Sequence, residues 1–329
     1  MLIDNHNRTV NYLRLAVTDR CNLRCFYCMP EEGIDFVEKK ELLSYEEMTQ
    51  LITIFAELGV SKVRITGGEP FVRKGLMGFI EKLVNIPGIT NVPITTNGTT
   101  TRRHLEDLVK LGIHSFNLSL DTLDKKRFFD ITRRDYFDEV YACMEEMIDR
   151  KLNVKLNAVV MKDKNIDDIL QMVALTKDKE IAVRFIEEMP FNGDKAHYQK
   201  LEWNYIKILD FISSEFPNIE KIPDPKFSTS VNYQVKGFKG SFGIIPAYSR
   251  SFCGTCNRLR MTPKGLIKTC LYDSGVFNLR DILRSGANNA EIKTAIFEAV
   301  GNRAKDGFEA ERNNRGGSKS FESMASIGG

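Results

Sequence analysis

The sequence YLRLAVTDRCNLRCFYCMP, residues 12–30, begins as a strand-like run and ends in three closely spaced cysteines. Residues 12–17 have the composition of a β-strand. Cys21, Cys25 and Cys28 follow with the spacing C-x3-C-x2-C. A closed zinc site needs four ligands and a disulfide needs two, so three thiols leave one ligand position open. The stretch therefore predicts a strand followed by a loop that holds a metal group with a vacant position.

Between residue 12 and about residue 187, strand-like runs alternate with amphipathic stretches. Ser44 and Glu47 have the spacing of a capping box and predict a helix that ends at Gly59. Further helices are predicted near 75–85, 102–111, 136–150 and 165–178. This alternation predicts an α/β fold with a parallel sheet. A closed barrel needs eight units, so we expect an open, partial (β/α)6 TIM-like barrel, with strands at 12–17, 62–66, 92–96, 115–120, 154–160 and 182–187.

After Met189 the pattern changes. Residues 201–216 predict a helix, 217–226 a proline-rich connector, and 232–249 and 258–272 two hairpins. Two short helical patterns follow at 278–285 and 288–300, before a polar tail rich in Gly, Asn and Ser. We therefore expect a barrel in residues 1–190, a smaller α+β domain in 191–300 and a flexible tail in 301–329.

The composition excludes several classes of protein. The chain has 47 Lys and Arg against 44 Asp and Glu, a net charge of +3. So small a charge gives no argument for a nucleic-acid-binding or membrane-binding surface. No run of about eighteen apolar residues occurs, and no apolar segment follows a basic start. The expected location is the cytoplasm.

The seven cysteines are expected to be reduced thiols in that compartment. Cys143 stands alone in a helical pattern, and we interpret it as a small buried hydrophobic residue. Three others, Cys253, Cys256 and Cys270, have the spacing C-x2-C-x13-C. A zinc ribbon with His197 as fourth ligand is an alternative here. Two incomplete triplets predict two metal sites, each with a vacant position for another ligand.

Basic residues occur within the predicted strands. Arg258 and Arg260 are two positions apart, so both side chains project from one face. A guanidinium pair suits an anion, above all a phosphate. Arg14, Arg64 and Lys155 lie in three other strands, where a buried charge is costly unless a partner or ligand pairs with it. Together they indicate a polyanionic substrate that side chains hold, since no G-x-x-x-x-G-K-[ST] loop is present.

The first cysteine motif, with Tyr27 before its last cysteine, resembles the signature of the radical S-adenosylmethionine (SAM) superfamily. The resemblance implies a 4Fe–4S cluster on Cys21, Cys25 and Cys28, whose vacant iron binds SAM. The RITGGEP segment, residues 64–70, is similar to the superfamily's segment beside the SAM amino group. The SAM-binding residues that the resemblance implies are Tyr27, Gly68, Ser119 and Met189.

Nearly the whole chain resembles one family within that superfamily, the GTP 3′,8-cyclases of molybdenum cofactor biosynthesis. The resemblance rests on residues 12–30, on RITGGEP, TTNG, NLSLD, RFIEEM and SFCGTCNRLR, and on the terminal Gly-Gly. It implies a radical SAM lyase that joins C3′ of GTP to C8 and forms 3′,8-cyclo-7,8-dihydro-GTP. It implies a second 4Fe–4S cluster on Cys253, Cys256 and Cys270. The implied GTP contacts are Arg14, Arg64, Thr95, Lys155, Arg258 and Arg260, and the implied catalytic residues are Arg258, Arg260, Gly328 and Gly329.

The family resemblance also implies partners. These are GTP, a reductant protein of the flavodoxin or ferredoxin type, and a cyclic pyranopterin monophosphate synthase that receives the product; a homodimer is compatible with it. Asn7 and Ala16 depart from the family's usual glycine and serine. Two alternatives remain: another two-cluster radical SAM enzyme, such as a peptide-modifying one, and a zinc-stabilised nucleotide-binding module without catalysis.

Overall fold

A sheet of twelve strands runs through the computed structural model, which describes residues 1–30, 32–189, 201–314 and 322–328. All six predicted strands are confirmed, with ends that differ by up to two residues. The strands are β1 (Leu2–Ile3), β2 (Thr9–Val10), β3 (Tyr12–Ala16), β4 (Lys62–Thr66), β5 (Ile94–Thr96), β6 (Ser115–Ser119), β7 (Asn153–Val160), β8 (Ala182–Glu187), β9 (Ile219–Lys221), β10 (Val231–Val235), β11 (Ser241–Ile245), β12 (Arg258–Met261), β13 (Leu266–Lys268) and β14 (Phe277–Asn278).

The strand order is β14-β13-β12-β3-β4-β5-β6-β7-β8-β11-β10-β9, and β1 and β2 form a separate pair. Strands β3 to β8 are parallel neighbours in chain order. The two predicted hairpins extend both edges of this parallel core, with β12 parallel to β3 and β11 parallel to β8. The C-terminal strands thus cover the core's edges, which would otherwise expose unpaired backbone groups. The sheet therefore crosses the predicted boundary near residue 190.

The helices are α1 (Tyr45–Glu57), α2 (Leu76–Val84), α3 (Leu105–Lys110), α4 (Lys125–Thr132), α5 (Phe137–Asp149), α6 (Asp168–Leu175), α7 (Tyr205–Glu215), α8 (Leu279–Arg284), α9 (Asn289–Gly301), α10 (Gly307–Asn314) and α11 (Met324–Ile327). Four 3-10 turns cover Lys39–Glu41, Pro70–Val72, Arg102–His104 and Cys253–Thr255. The predicted capping box is present: the Ser44 hydroxyl accepts from the Glu47 N–H at 3.1 Å. None of the helices in the described part of the chain is long and apolar enough to cross a membrane.

Three helices and four strands of the described residues were not predicted from the sequence: α4, α10, α11, β1, β2, β9 and β14. Helix α4 has the polar sequence KKRFFDIT, and Asp124 caps it by accepting from the Arg127 N–H. Helix α10 lies in the predicted tail and is tied down by an ion pair between Arg250 and Glu311 at 2.8 Å. Tertiary contacts of this kind override a weak local signal. The flexibility of the tail stays a prediction.

The two faces of the parallel core differ in polarity. In β3, Leu13 and Leu15 are completely buried in the apolar core, as is Cys143 on α5, which confirms its predicted burial. Tyr12 and Arg14 alternate with those leucines and project from the other face. That other face, here called the inner face, carries the polar side chains of the site.

Candidate active site

The carboxyl ends of parallel strands lie along one edge of a sheet. The loop with Cys21, Cys25 and Cys28 follows β3, and Gly67–Gly68 follows β4. Ser119 is the last residue of β6, and Met189 follows β8. The structure thus brings the predicted cluster ligands and SAM-binding positions to the same edge. Their binding roles stay predictions.

The two glycines after β4 have a backbone reason to be glycine. A Cβ atom on Gly67 would clash with the carbonyl oxygen of Thr18, and one on Gly68 with that of Arg20. Gly68 N–H also donates to the Thr18 carbonyl at 2.7 Å. The sequence analysis expected a ligand close to this backbone, and the structure places the cysteine loop itself there.

The first thiol site, Cys21, Cys25 and Cys28, contains a short turn. The N–H groups of Cys28 and Met29 donate to the Cys25 carbonyl at 3.0 and 2.9 Å. The Cys21 sulfur accepts hydrogen bonds from the Leu23 N–H at 3.4 Å and from the Asn97 side chain at 3.6 Å. Donors aimed at sulfur favour a thiolate, which is the form that ligates metal.

Two buried carboxyl groups flank the first thiol site. Asp121 accepts from the Tyr27 hydroxyl at 2.7 Å and from the Val159 N–H at 2.8 Å. Glu69 accepts from Asn97 N–H at 2.7 Å and from Thr96 at 2.9 Å. Neither acid was selected from the sequence, although both lie within quoted motifs: Glu69 in RITGGEP and Asp121 at the end of NLSLD.

Burial is the main influence on the acids and thiols of this site. It raises the pKa of Glu69 to about 7 and that of Asp121 to about 6. Burial, followed by the Glu69 charge, raises the pKa of Cys21 to about 12, and burial raises that of Cys28 to about 11. This surrounding favours protons or cations over unpaired anions.

The second thiol site, Cys253, Cys256 and Cys270, lies beside β12 and β13. Arg303 is fixed there by hydrogen bonds to the carbonyls of Cys256 and Thr269, both at 2.9 Å. Its Nη2 also donates to the Cys256 sulfur at 3.0 Å. The sequence analysis missed Arg303, because it stands alone in a polar segment without any motif.

A buried carboxylate supports this arrangement. Asp4, whose side chain has no exposed area, pairs with Arg8 at 2.6 Å and with Arg303 at 3.3 Å. Arg8 in turn donates to the Cys253 carbonyl at 3.1 Å. Burial acts to raise the pKa of Cys256, but Arg258 and Arg303 outweigh it and lower the pKa to about 7. The second thiol site is thus held and polarised by arginines.

The thiols of the two sites differ in arrangement from the ligands of a single metal ion. No three His, Cys, Asp or Glu side chains converge on one point closely enough for a single metal ion within the described ranges. A zinc site would bring its sulfurs within about 2.3 Å of one point. The thiols of each triplet nevertheless influence one another's pKa, and all six are free. Three free thiols that lie close enough to influence one another match the all-thiolate donor set of an iron–sulfur cluster.

Three arginines lie side by side on the inner face. Arg260 is the register partner of Arg14, and Arg14 is the register partner of Arg64. The polar row continues across the core: Thr95 pairs with Asn117, and Asn117 with Lys155. Arg64 also donates to the Thr95 hydroxyl at 3.3 Å. The structure therefore brings together the residues predicted to bind GTP.

Several buried polar atoms on this face have no hydrogen-bond partner among the described residues. They belong to predicted residues and to three that the sequence analysis missed, Asn117, Asn157 and Arg184. Asn157 is the register partner of Arg184 on the next strand. Because unpaired buried polar atoms are costly, they indicate a ligand. The atoms are Arg14 Nε, Arg184 Nε, Arg258 Nε and Nη2, Asn117 Oδ1 and Asn157 Oδ1.

The C-terminal segment, residues 322–328, contacts residues near both thiol sites. The Ser323 hydroxyl donates to the Cys28 carbonyl at 2.5 Å. Arg260 donates to the Gly328 carbonyl, and the buried Lys268 pairs with Glu322. A Cβ on Gly328 would lie 2.9 Å from Thr66 Cγ2 and 3.0 Å from Ala16 Cβ. Gly328 therefore lies against the carboxyl ends of β3 and β4. Gly329 lies outside the described residues.

Asn7 and Ala16, which depart from the family pattern, both fit their positions. Asn7 has a φ of 59°, in the left-handed region where glycine is favoured and where asparagine is the best-tolerated replacement. The turn before Arg8 is therefore kept. Ala16 lies beside Gly328, where its small side chain leaves room for the tail.

Comparison with known proteins agrees with this geometry. Residues 15–176 match the model of the radical SAM superfamily, and residues 181–308 match that of Molybdenum Cofactor Synthesis C. SuiB of Streptococcus suis, solved with S-adenosylmethionine bound, shares the fold at 16% identity with a TM-score of 0.57, over 88% of this chain and 69% of that one. The protein is therefore a radical SAM protein.

Two relatives narrow the family. The GTP 3′,8-cyclase of Thermodesulfovibrio yellowstonii is 40% identical over 90% of this chain and 92% of its own length. Molybdenum cofactor biosynthesis protein 1 of Bos taurus is 41% identical over 92% of this chain, which spans about half (48%) of that relative. The chain belongs to the GTP 3′,8-cyclase family of molybdenum cofactor biosynthesis.

Proposed function

We propose that this protein is a GTP 3′,8-cyclase, a lyase that forms 3′,8-cyclo-7,8-dihydro-GTP. The observation that carries the proposal is the row of arginines on the inner face, because the buried Arg14 Nε, Arg184 Nε, and Arg258 Nε and Nη2 lack hydrogen-bond partners among the described residues. A triphosphate supplies enough acceptor oxygens for several guanidinium groups at once. This row extends from β12, beside the second thiol site, into the parallel core whose strand ends hold the first.

The first thiol site would hold a 4Fe–4S cluster on Cys21, Cys25 and Cys28. When bound, the cluster and SAM would supply the hydrogen-abstraction chemistry by which C3′ of GTP is joined to C8, and the reductant would provide the electrons for SAM cleavage and for the final reduction. Tyr27, Gly68, Ser119 and Met189 would position SAM. The adjacent Glu69 and Asp121 suit a ligand with an ammonium and a sulfonium group, because opposite charges attract strongly in a buried site.

The second thiol site would hold a second 4Fe–4S cluster, with a vacant iron for the guanine base. Arg258 and Arg260, which lie two and four residues beyond Cys256 on β12, would clamp the triphosphate together with Arg14, Arg64, Thr95 and Lys155. Fixing C3′ close to C8 removes the entropic part of the barrier to ring closure. Gly328 and Gly329 would complete the site, since they can enter a narrow space without side chains.

The remaining parts of the proposal concern architecture and partners. The parallel core would form a partial (β/α)6 barrel, with residues 191–300 as the part that carries the second cluster. A flavodoxin-type or ferredoxin-type protein would supply electrons, and the product would pass to a cyclic pyranopterin monophosphate synthase. A homodimer is compatible with these roles.

Binding measurements with Arg258→Ala test the substrate assignment. We expect GTP affinity to fall by about tenfold to a hundredfold and guanosine affinity to change little, because the lost contact is charge-assisted and directed at phosphate. Arg150→Ala, on the exposed end of α5, is the matched control. Equal losses for GTP and guanosine would show that Arg258 acts on the base or on the fold.

Metal analysis separates the proposal from a zinc-stabilised module. Two clusters require about eight irons per chain, whereas stoichiometric zinc without iron would contradict the proposal.

A further inference from the structure

Tyr12 is an acidic side chain placed among the cations of the inner face. It is the first residue of β3, and only 7% of its surface is exposed. Its register partners are Arg258 on β12 and Lys62 on β4. Because Tyr12 and Arg14 are two positions apart on one strand, both side chains project from the inner face.

The phenol is in direct contact with several of these cations. The Arg64 Nε donates to the Tyr12 hydroxyl oxygen at 2.5 Å. Lys62 Nζ lies 4.7 Å from the ring centroid, and the guanidinium carbons of Arg14 and Arg64 lie 5.8 and 5.9 Å from it. Counting every strand that faces Tyr12, the cations are Arg14 on β3, Lys62 and Arg64 on β4, Lys155 on β7, Arg184 on β8, and Arg258 and Arg260 on β12.

These cations have no carboxylate partner in the part of the chain that the structure describes. None of the seven forms an ion pair with Asp or Glu there. Two thiols of the second thiol site also act on these cations: Cys256 acts to raise the pKa of Arg258, and Cys270 acts to raise that of Arg260. Like charges so close together in a buried site repel one another strongly. The Tyr12 oxygen is the acidic group whose field reaches every strand of this cluster.

The electrostatics agree with this placement. Burial acts to raise the pKa of Tyr12, but Arg64, Arg14, Lys62 and Arg258 outweigh it and lower the pKa to about 7. Lys155 has its pKa lowered to about 8, by burial first and then by Arg184. Above about pH 7, a phenolate thus lies among cations that form no ion pair with Asp or Glu in the described part of the chain.

We propose that Tyr12 is the internal counter-ion of the inner face and a substrate-positioning residue: a bound polyphosphate takes over its cations, and the phenolate takes up one proton from solvent. The proposal rests on the proposed function. The step forms one O–H bond and breaks none in the substrate. The resulting neutral hydroxyl remains beside Arg64, where it can donate to a phosphate oxygen.

Proton uptake has a measurable consequence for affinity. If binding takes up one proton, affinity falls by up to tenfold for each pH unit above the pKa of the free site. The triphosphate's own last proton leaves near pH 6, so it does not contribute in alkaline buffer. Lys155 takes up protons in the same direction and is coupled to Tyr12, so the tyrosinate absorption described below reports the phenol separately.

Calorimetry with the protein carrying both clusters tests the proposal. GTP is titrated at about pH 8 in buffers that differ in ionisation enthalpy, into wild type, Tyr12→Phe and the control Tyr141→Phe on α5. We expect uptake approaching one proton more in the wild type and in Tyr141→Phe than in Tyr12→Phe. Tyr12→Phe should also flatten the decline of affinity with pH. Equal proton uptake in all three proteins would overturn the proposal.

A second measurement needs no variant and does not require GTP to be the substrate. Inorganic triphosphate, which is transparent in the near ultraviolet, is added to the wild type at about pH 8. Loss of the tyrosinate absorption band on binding is expected. Binding without any loss of that band would contradict the role of Tyr12. If triphosphate abolishes the absorption band but GTP is not cyclised, the proposed function is wrong and the inference about Tyr12 is supported.

Discussion

The two thiol sites have the same number of cysteines and opposite electrostatic surroundings. The first lies between the buried carboxyl groups of Glu69 and Asp121, and burial raises the pKa values of its thiols. The second is held by Arg303 and Arg8; burial raises the pKa of Cys253 and that of Cys270, but arginines lower the pKa of Cys256 to about 7. The same set of thiols therefore has surroundings that fit the two proposed ligands, a cationic cofactor at the first site and an anionic substrate at the second.

The largest expected effect separates the two sites by function. Cys25→Ser should abolish reductive cleavage of SAM, because a hydroxyl is a poor substitute for thiolate on iron. Cys256→Ser should keep SAM cleavage and lose cyclised product, since it alters only the second site. The measurement is 5′-deoxyadenosine formation by each variant under anaerobic conditions. Retained cleavage of SAM by Cys25→Ser would contradict the assignment of the first thiol site as the SAM cluster site.

The next effect concerns the tail that reaches towards both sites. Deleting Gly328 and Gly329, or changing Gly329 to alanine, should lower product formation by about a hundredfold while iron content and SAM affinity remain normal. The physical reason is that Gly328 accepts from Arg260 and leaves no space for a side chain beside Thr66. Anaerobic turnover of full-length and truncated protein is compared. Normal product formation by the truncated chain would show that the two terminal glycines have no role in catalysis.

A smaller effect is expected when the support of the second site is weakened. Arg303→Ala should reduce retention of the second cluster by about 10- to 100-fold, the usual cost of losing a group that orients metal ligands. Arg303→Lys should recover part of it, and Arg312→Ala on α10 is the exposed control. Iron stoichiometry and the spectroscopic signature of each cluster are measured. Loss of the first cluster instead would mean that the two sites are not separately supported.

The smallest effect is a difference in pH dependence between the sites in cluster-free protein. Because a lowered pKa gives thiolate above about pH 7, alkylation of Cys256 should rise with pH and level off near neutrality. Alkylation of Cys21 and Cys28 should keep rising towards pH 11 to 12. Site-resolved mass spectrometry follows each cysteine. If alkylation of Cys21 levelled off at a lower pH than alkylation of Cys256, the proposed difference between the two thiol sites would be wrong.

The parallel core could be predicted from the sequence because each strand and helix has its own pattern within a short stretch of residues. Each strand lies between turn signals and alternates with a helix, and capping boxes such as Ser44–Glu47 mark where helices begin. The cysteine triplets and Arg258–Arg260 were also evident, because their spacing is short. The resemblance to a known family extended these motifs to the residues expected to bind SAM and GTP.

Residues whose role depends on distant partners were missed. Arg303 is nearly fifty positions from the cysteine whose sulfur it contacts, and Asp4 is about three hundred positions from Arg303. Asn157 lies in no quoted motif, and Arg184 was not selected although it begins the RFIEEM motif; both become notable only when the register places them side by side. The continuation of the sheet across residue 190 was missed for the same reason, since strand pairing between β12 and β3 leaves no local pattern.

One measurement tests the central claim, that two thiol sites of opposite surroundings serve one radical cyclisation. The protein with both clusters is incubated anaerobically with SAM, GTP and a reductant, and the nucleotide product is identified. The predicted result is 3′,8-cyclo-7,8-dihydro-GTP, formed together with 5′-deoxyadenosine. Formation of 5′-deoxyadenosine with GTP recovered unchanged, in protein shown to carry both clusters and an intact tail, would contradict the account.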